Sequence, residues 1–155
     1  MKRPQGIRWP TSREAALLMR ALVAILRVRL YLLRGSHHAL RRIIEAHPLP
    51  REARDAPPSE LAEIAWSVRH AARLVPGATC LTQASAGQLL LARRGHASTV
   101  RLSVPGRTEM PGTLAPHAWL IAGRTIVLGG TAAEYAHHRA LHDFTLPAAT
   151  DTTRQ

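Results

Sequence analysis

The apolar residues of this chain change their spacing once, just after Gly95, and that change limits what the chain can fold into. Upstream they recur at three- and four-residue steps, as along a helix. Downstream, Val100, Leu102 and Val104 alternate with Thr99, Arg101 and Ser103, as along a strand. Helices come first and strands follow, which predicts an α+β fold: a helical N-terminal half, then a helix packed on a small antiparallel sheet. A chain of 155 residues has room for one core, so a single domain over 1–155 is expected. Aromatic residues make up only 4% of it, so that core must be aliphatic.

The helices have readable ends. Thr11 and Glu14 fit a capping box, which starts a helix over about 12–33. Within it Arg13, Arg20, Arg27 and Arg34 recur every seven residues and share one polar stripe, while Leu18, Leu22, Ile25 and Leu26 are expected to pack inward. The stripe reads either as a solvated face or as a face for an acidic partner. Gly35-Ser36 ends this helix, and a short second one carries Leu40, Ile43 and Ile44 and stops before Pro48. Residues 47–58, HPLPREARDAPP, form a Pro-rich connection that no helix crosses. Ser59 is expected to cap a third helix, with Glu60 and Glu63 in its first turn and Leu61, Ile64, Ala65, Val68, Ala72 and Val75 along its apolar stripe. Pro76-Gly77 ends it, and a fourth helix runs from about Thr79 to Arg94 with Gly95 just past its end.

After the first strand, 105–115 reads as a loop. Strands are expected over 117–121 and 124–128, joined by a turn at Ala122-Gly123 and broken by Gly129-Gly130. A short helix is expected over about 132–141, and the polar end TDTTRQ as a disordered tail. The organisation expected is a helical N-terminal region over 1–58, a core over 59–130 and a C-terminal extension over 131–155.

Lys and Arg number 21 against 10 Asp and Glu, a formal net charge of +11. The arginines are spread along the chain, with no nucleic-acid-binding motif among them, so nucleic acid is not an expected partner. The longest apolar stretch, Ala15 to Leu33, is interrupted by Arg20, Arg27 and Arg29, so no membrane insertion is expected. The single cysteine, Cys80, excludes a disulfide framework and a Cys-rich zinc module. With no secretory pattern at the start, it suits a reducing, cytoplasmic setting.

Cys80 falls in the first turn of the fourth helix. Unpaired N–H groups and the helix dipole there favour a thiolate, and the same N–H groups can hold an oxyanion. His117 opens the second strand, where it can reach that helix start, as a Cys–His pair requires. A lone cysteine also serves as a small buried hydrophobe, and a lone histidine as a structural residue. His37-His38 and His137-His138 are adjacent pairs that make poor joint ligands, and His138 with His142 lacks a third ligand, so no metal is expected. Phosphate-binding loops and a G-x-S-x-G elbow are absent.

The stretch IAWSVRHAARLVPGATCLTQASAGQLLLARRGHASTVRLSV, followed by APHAWLIAGRTIVLGG, resembles the lasso peptide biosynthesis B2 proteins, over about Ile64 to Gly130. Those are leader peptidases of the transglutaminase-like (papain-like) cysteine protease superfamily. The resemblance implies Cys80 as nucleophile, His117 as general base and acid, the Cys80 N–H as an oxyanion donor, and no cofactor. Trp119 shares the His117 face of the strand and either shields the imidazole, shapes the substrate pocket or simply packs; Gln83, near Cys80 on the helix, is a second pocket candidate. The superfamily usually orients the imidazole with an Asp on the next strand, and here that strand, RTIVLGG, has no carboxylate. Three explanations stay open: a carboxylate from elsewhere (Glu134, Asp143 or Glu109), a backbone carbonyl or water, or a protein weakly active without partners. We favour the second.

The function the resemblance implies is a cysteine endopeptidase that cuts the leader from a ribosomally made lasso precursor, freeing the core amine for an ATP-dependent cyclase. A B1-type recognition-element protein would present the leader, and the stripe of Arg13, Arg20 and Arg27 is a candidate docking face for that partner or for the leader. A noncatalytic leader-binding module and a cysteine acyltransferase are the alternatives.

Overall fold

The structure, a computed structural model, describes residues 10–47, 49, 55–106 and 116–146. Thr11 accepts from the Glu14 amide and Glu14 reaches back to the Thr11 amide, so the capping box forms and starts α1 (Ser12–Leu33). Gly35, at φ +66°, turns the chain into α2 (His37–Glu45). α3 (Pro58–Ala72) starts one residue before the expected cap. Pro58 occupies its first position, where a fixed φ suits the helix and the missing N–H would be unpaired anyway, so Ser59 is not the cap. α4 (Cys80–Arg93) ends at Arg94, with Gly95 at φ +80° just beyond.

The inward face of α1 differs from expectation. Ala21, Ala24, Ile25 and Val28 are fully buried, Leu18 and Leu22 are half-buried, and Leu26 is exposed. Small alanines let α1 lie close to α3 and α4, which rotates the leucine-rich side outward. α4 is the central element. Thr82 and every residue from Ala84 to Ala92 are buried along it, between the other helices and the sheet.

The sheet holds β1 (Ser98–Pro105), β2 (His117–Ala122), β3 (Thr125–Leu128) and β4 (His138–Leu146) in the order β3-β2-β1-β4, all antiparallel. The helix expected over 132–141 is only the short α5 (Ala132–Ala136); from His138 the chain is a strand. β4 is an edge strand exposed along nearly its whole length, so it carries no apolar alternation for a sequence reading to detect. Side chains fasten it instead. Arg101 grips Asp143 with two bonds of 2.6 and 2.7 Å and also bonds the Tyr135 hydroxyl, and Gln88 donates to the Phe144 carbonyl at 2.8 Å. The TDTTRQ tail, residues 48 and 50–54 of the 47–58 connection and residues 107–115 lie outside the described residues. Among the described residues no helix is long and apolar enough to cross a membrane.

The close approach of α4 to the sheet fixes where its first turn ends up. A β-carbon on Gly87 would lie 2.5 Å from Leu120 Cδ2 and 2.9 Å from Leu128 Cδ1, so the helix touches β2 and β3 through bare backbone. Gly87→Val should therefore overpack this contact and destabilise the fold by about 1–3 kcal/mol, read as a lower urea midpoint at unchanged m-value.

Candidate active site

Thr79 builds the start of α4. Its backbone is extended and its hydroxyl accepts from the Thr82 amide at 3.3 Å, so Cys80 becomes the first helical residue. Thr79 also accepts, through its carbonyl, the Gln83 amide at 3.0 Å. The N–H groups of Cys80 and Leu81 have no acceptor among the described residues, as the geometry of a helix start dictates. The half-buried thiol thus sits beside free donors of the kind that hold an oxyanion. Gln83 does not point freely: its amide nitrogen donates to the Ala78 carbonyl at 3.0 Å, which ties the first turn of α4 to the segment before it.

His117 is the first residue of β2, opposite Ser103 of β1. Its Nε2 lies 2.6 Å from the carbonyl oxygen of Gly129. A carbonyl only accepts, so Nε2 carries the ring proton and Nδ1 is left as the basic nitrogen. The carbonyl belongs to the strand end where the sequence lacks a carboxylate. The two acidic candidates that are described are engaged elsewhere. Glu134 closes a capping box on α5, bonding the Thr131 amide at 2.6 Å and hydroxyl at 2.9 Å, and those bonds hold its carboxyl below the ordinary range, with a lesser pull from His117 and His138. Asp143 is held by the Arg101 guanidinium, which lowers its pKa. Glu109 lies outside the described residues.

Gly129 and Gly130 put the carbonyl in place because they alone tolerate the backbone there. Their φ angles are +119° and +146°. A β-carbon on Gly129 would sit 2.7 Å from Trp119 Cε3 and 3.0 Å from the Ala118 carbonyl. Trp119 is the wall they press on: 1% exposed, it donates from Nε1 to Ser103 Oγ at 2.7 Å, and Ser103 Oγ lies 3.0 Å from His138 Nδ1. The His117 ring meets Trp119 edge-on at 4.6 Å between centroids. Trp119 therefore backs the imidazole, and it does not line the open side of the site.

That open side is a cavity of about 450 Å³ at the end of the sheet. Cys80 and Gln83 line it from α4, His117 from β2, Leu128 from the end of β3, and Gly129, Gly130 and Thr131 from the segment after it. The structure thus brings Cys80, His117 and Gln83 to one space. No hydrogen bond joins the thiol to the imidazole in this structure; bonds of this kind often close only around substrate. Sequence reasoning missed Arg69, which reaches the cavity from α3 and donates to the Val127 carbonyl at 3.3 Å. Its one signal is its place at the edge of the α3 apolar stripe, four residues after Ala65 and three before Ala72. Arg13, Arg20 and Arg27 lie on α1 and line no part of this cavity. His138 is taken up by Ser103, and His142 meets Phe144 edge-on at 4.5 Å between centroids.

A sequence model of the transglutaminase-like superfamily matches residues 22–142, well over half of the chain. The chain belongs to the transglutaminase-like superfamily. The match runs from within α1 to within β4 and takes in Cys80, His117 and the sheet between them. No curated protein and no solved structure matches the chain. The transglutaminase-like superfamily includes cysteine proteases and acyltransferases. Both chemistries pass through a thioester on a cysteine, which needs the parts assembled here: a thiol at a helix start, a basic ring nitrogen and free amide donors.

In this transglutaminase-like site the Gly129 carbonyl is held by conformation, so substitution of the glycine tests it. Gly129→Ala should destabilise the protein by about 1–3 kcal/mol in urea unfolding. It should also break the His117–Gly129 contact, seen as a shift of the His117 ring signals by NMR at a temperature where the variant is still folded.

Proposed function

We propose that this chain is a cytoplasmic cysteine endopeptidase that removes the leader from a ribosomally made lasso peptide precursor. The observation that carries the reading is the meeting of Cys80, at the first position of α4, with His117, its ring held by the Gly129 carbonyl, around one cavity. The resemblance of residues 64–130 to the B2 leader peptidases gives the substrate class.

In this reading His117 Nδ1 takes the Cys80 proton as sulfur attacks the carbonyl carbon at the leader–core junction. The oxyanion is held by the Cys80 N–H. Collapse of the tetrahedral species breaks the C–N bond, the core amine leaves with the proton from His117, and the leader remains on Cys80 as a thioester. Water, deprotonated by His117, then hydrolyses the thioester and restores the thiol. No metal or organic cofactor enters these steps. A B1-type recognition-element protein presents the leader, and a separate ATP-dependent cyclase uses the freed amine.

The test incubates the full chain with the precursor peptide encoded beside it and the recognition partner, and follows mass. Wild type should release the leader; Cys80→Ala should lose about 10³-fold or more in rate, and His117→Ala about 10²–10⁴-fold. Leader binding without cleavage by wild type would instead mark a noncatalytic module, and a mass gain on an added amine an acyltransferase.

A further inference from the structure

α1 is apolar on two opposite sides. Ala21, Ala24, Ile25 and Val28 face the core and are fully buried. Half a turn round the helix, Met19, Val23, Leu26, Leu30 and Leu33 are 60%, 48%, 50%, 46% and 71% exposed. They follow one another at steps of four, three, four and three residues. That is the heptad spacing with which one helix packs its seam against another. Arg20, Arg27 and Arg34 each come one residue after Met19, Leu26 and Leu33, so they form a row along one edge of the seam. All three are exposed and make no ion pair among the described residues. Arg13, next in the row, is paired with Glu63.

We propose that this face docks an amphipathic helix of another protein, apolar at matching heptad steps and lined with Glu or Asp on the edge that meets Arg20, Arg27 and Arg34. Charge selects this occupant. In a helix pair the residues flanking one seam meet those flanking the other. An antiparallel second copy of α1 would set the row of Arg20, Arg27 and Arg34 against its own equivalent, and Arg29 on the other flank, its guanidinium against Gly77, offers no opposite charge to a parallel one. The helix's single carboxylate, Glu14, is spent on the cap at its start. A membrane-surface helix needs a broad apolar face with its polar face turned to water on the far side. Here the seam is narrow, and the far side of α1 is the protein core. The proposal is independent of the peptidase reading, since no α1 residue lines the Cys80 cavity.

The test uses the full chain and a synthetic helical peptide of roughly three heptads with Leu along its seam and Glu on both flanks, against the same peptide with Lys on the flanks. Fluorescence anisotropy should show the Glu peptide binding at least about tenfold more tightly, with the gap shrinking as salt rises. The Arg20→Glu/Arg27→Glu double variant should reverse the preference, and Leu26→Asp/Leu30→Asp should lose binding of both peptides. Circular dichroism checks that each variant is folded; if the leucine variant is not, the charge reversal decides. Equal binding of the two peptides, or none, overturns the proposal. So does a wild-type dimer in sedimentation that Leu26→Asp/Leu30→Asp abolishes, or co-sedimentation with phosphatidylglycerol vesicles in place of peptide binding.

Discussion

The 2.6 Å contact between His117 Nε2 and the Gly129 carbonyl is the interaction on which the rest of the site depends. An imidazole on the first residue of a strand has two free torsions and would otherwise sweep the cavity mouth. One acceptor on one ring nitrogen fixes both its orientation and its tautomer. A carboxylate in that place would add a full negative charge and stabilise an imidazolium. A carbonyl adds only a dipole, so it supplies the orientation and the tautomer without that charge. The site therefore keeps the geometric half of what an orienting acid supplies.

The carbonyl can be there because several elements converge on it. Ser103 of β1 takes the Trp119 indole N–H, which seats the ring flat enough against the chain that only glycine fits over it at 129 and 130. Those glycines follow the end of β3 and turn the Gly129 carbonyl toward His117. On the other side of the cavity, Gly87 lets α4 settle onto Leu120 and Leu128, which brings the first turn of α4 to the same end of the sheet. Sequence-distant glycines and one buried tryptophan thus set the meeting of thiol and imidazole.

Much of this was legible in the residues, and the illegible parts have physical reasons. The change of period after Gly95 announced helices before strands, and the Thr11 capping box marked the start of α1 to the residue, because capping is a local, side-chain-specific interaction; Thr79, expected as the first residue of the fourth helix, is its cap instead. Pro58 moved the start of α3, since proline at the first position needs no side-chain cap. β4 was read as helix in part because an exposed edge strand has no buried face to impose alternation. Leu26 was placed inward because a helix with apolar residues on two sides gives no rule for choosing between them. The orienting group was left among three alternatives, with a backbone carbonyl or water favoured but no residue named, because a backbone carbonyl has no letter in a sequence. Arg69 was missed because its role comes from packing between α3 and the sheet, which local pattern does not encode.

A backbone carbonyl orients His117, and the tautomer of the ring is the sharpest test of that. Long-range ¹⁵N–¹H correlation spectra of the ¹⁵N-labelled protein, at a pH where the ring is neutral, read the protonation of each nitrogen. A proton on His117 Nε2 and a bare Nδ1 are predicted, with the Nε2 proton slow to exchange. A proton on Nδ1, or rapid averaging between the two nitrogens, would mean that the Gly129 carbonyl does not hold the ring.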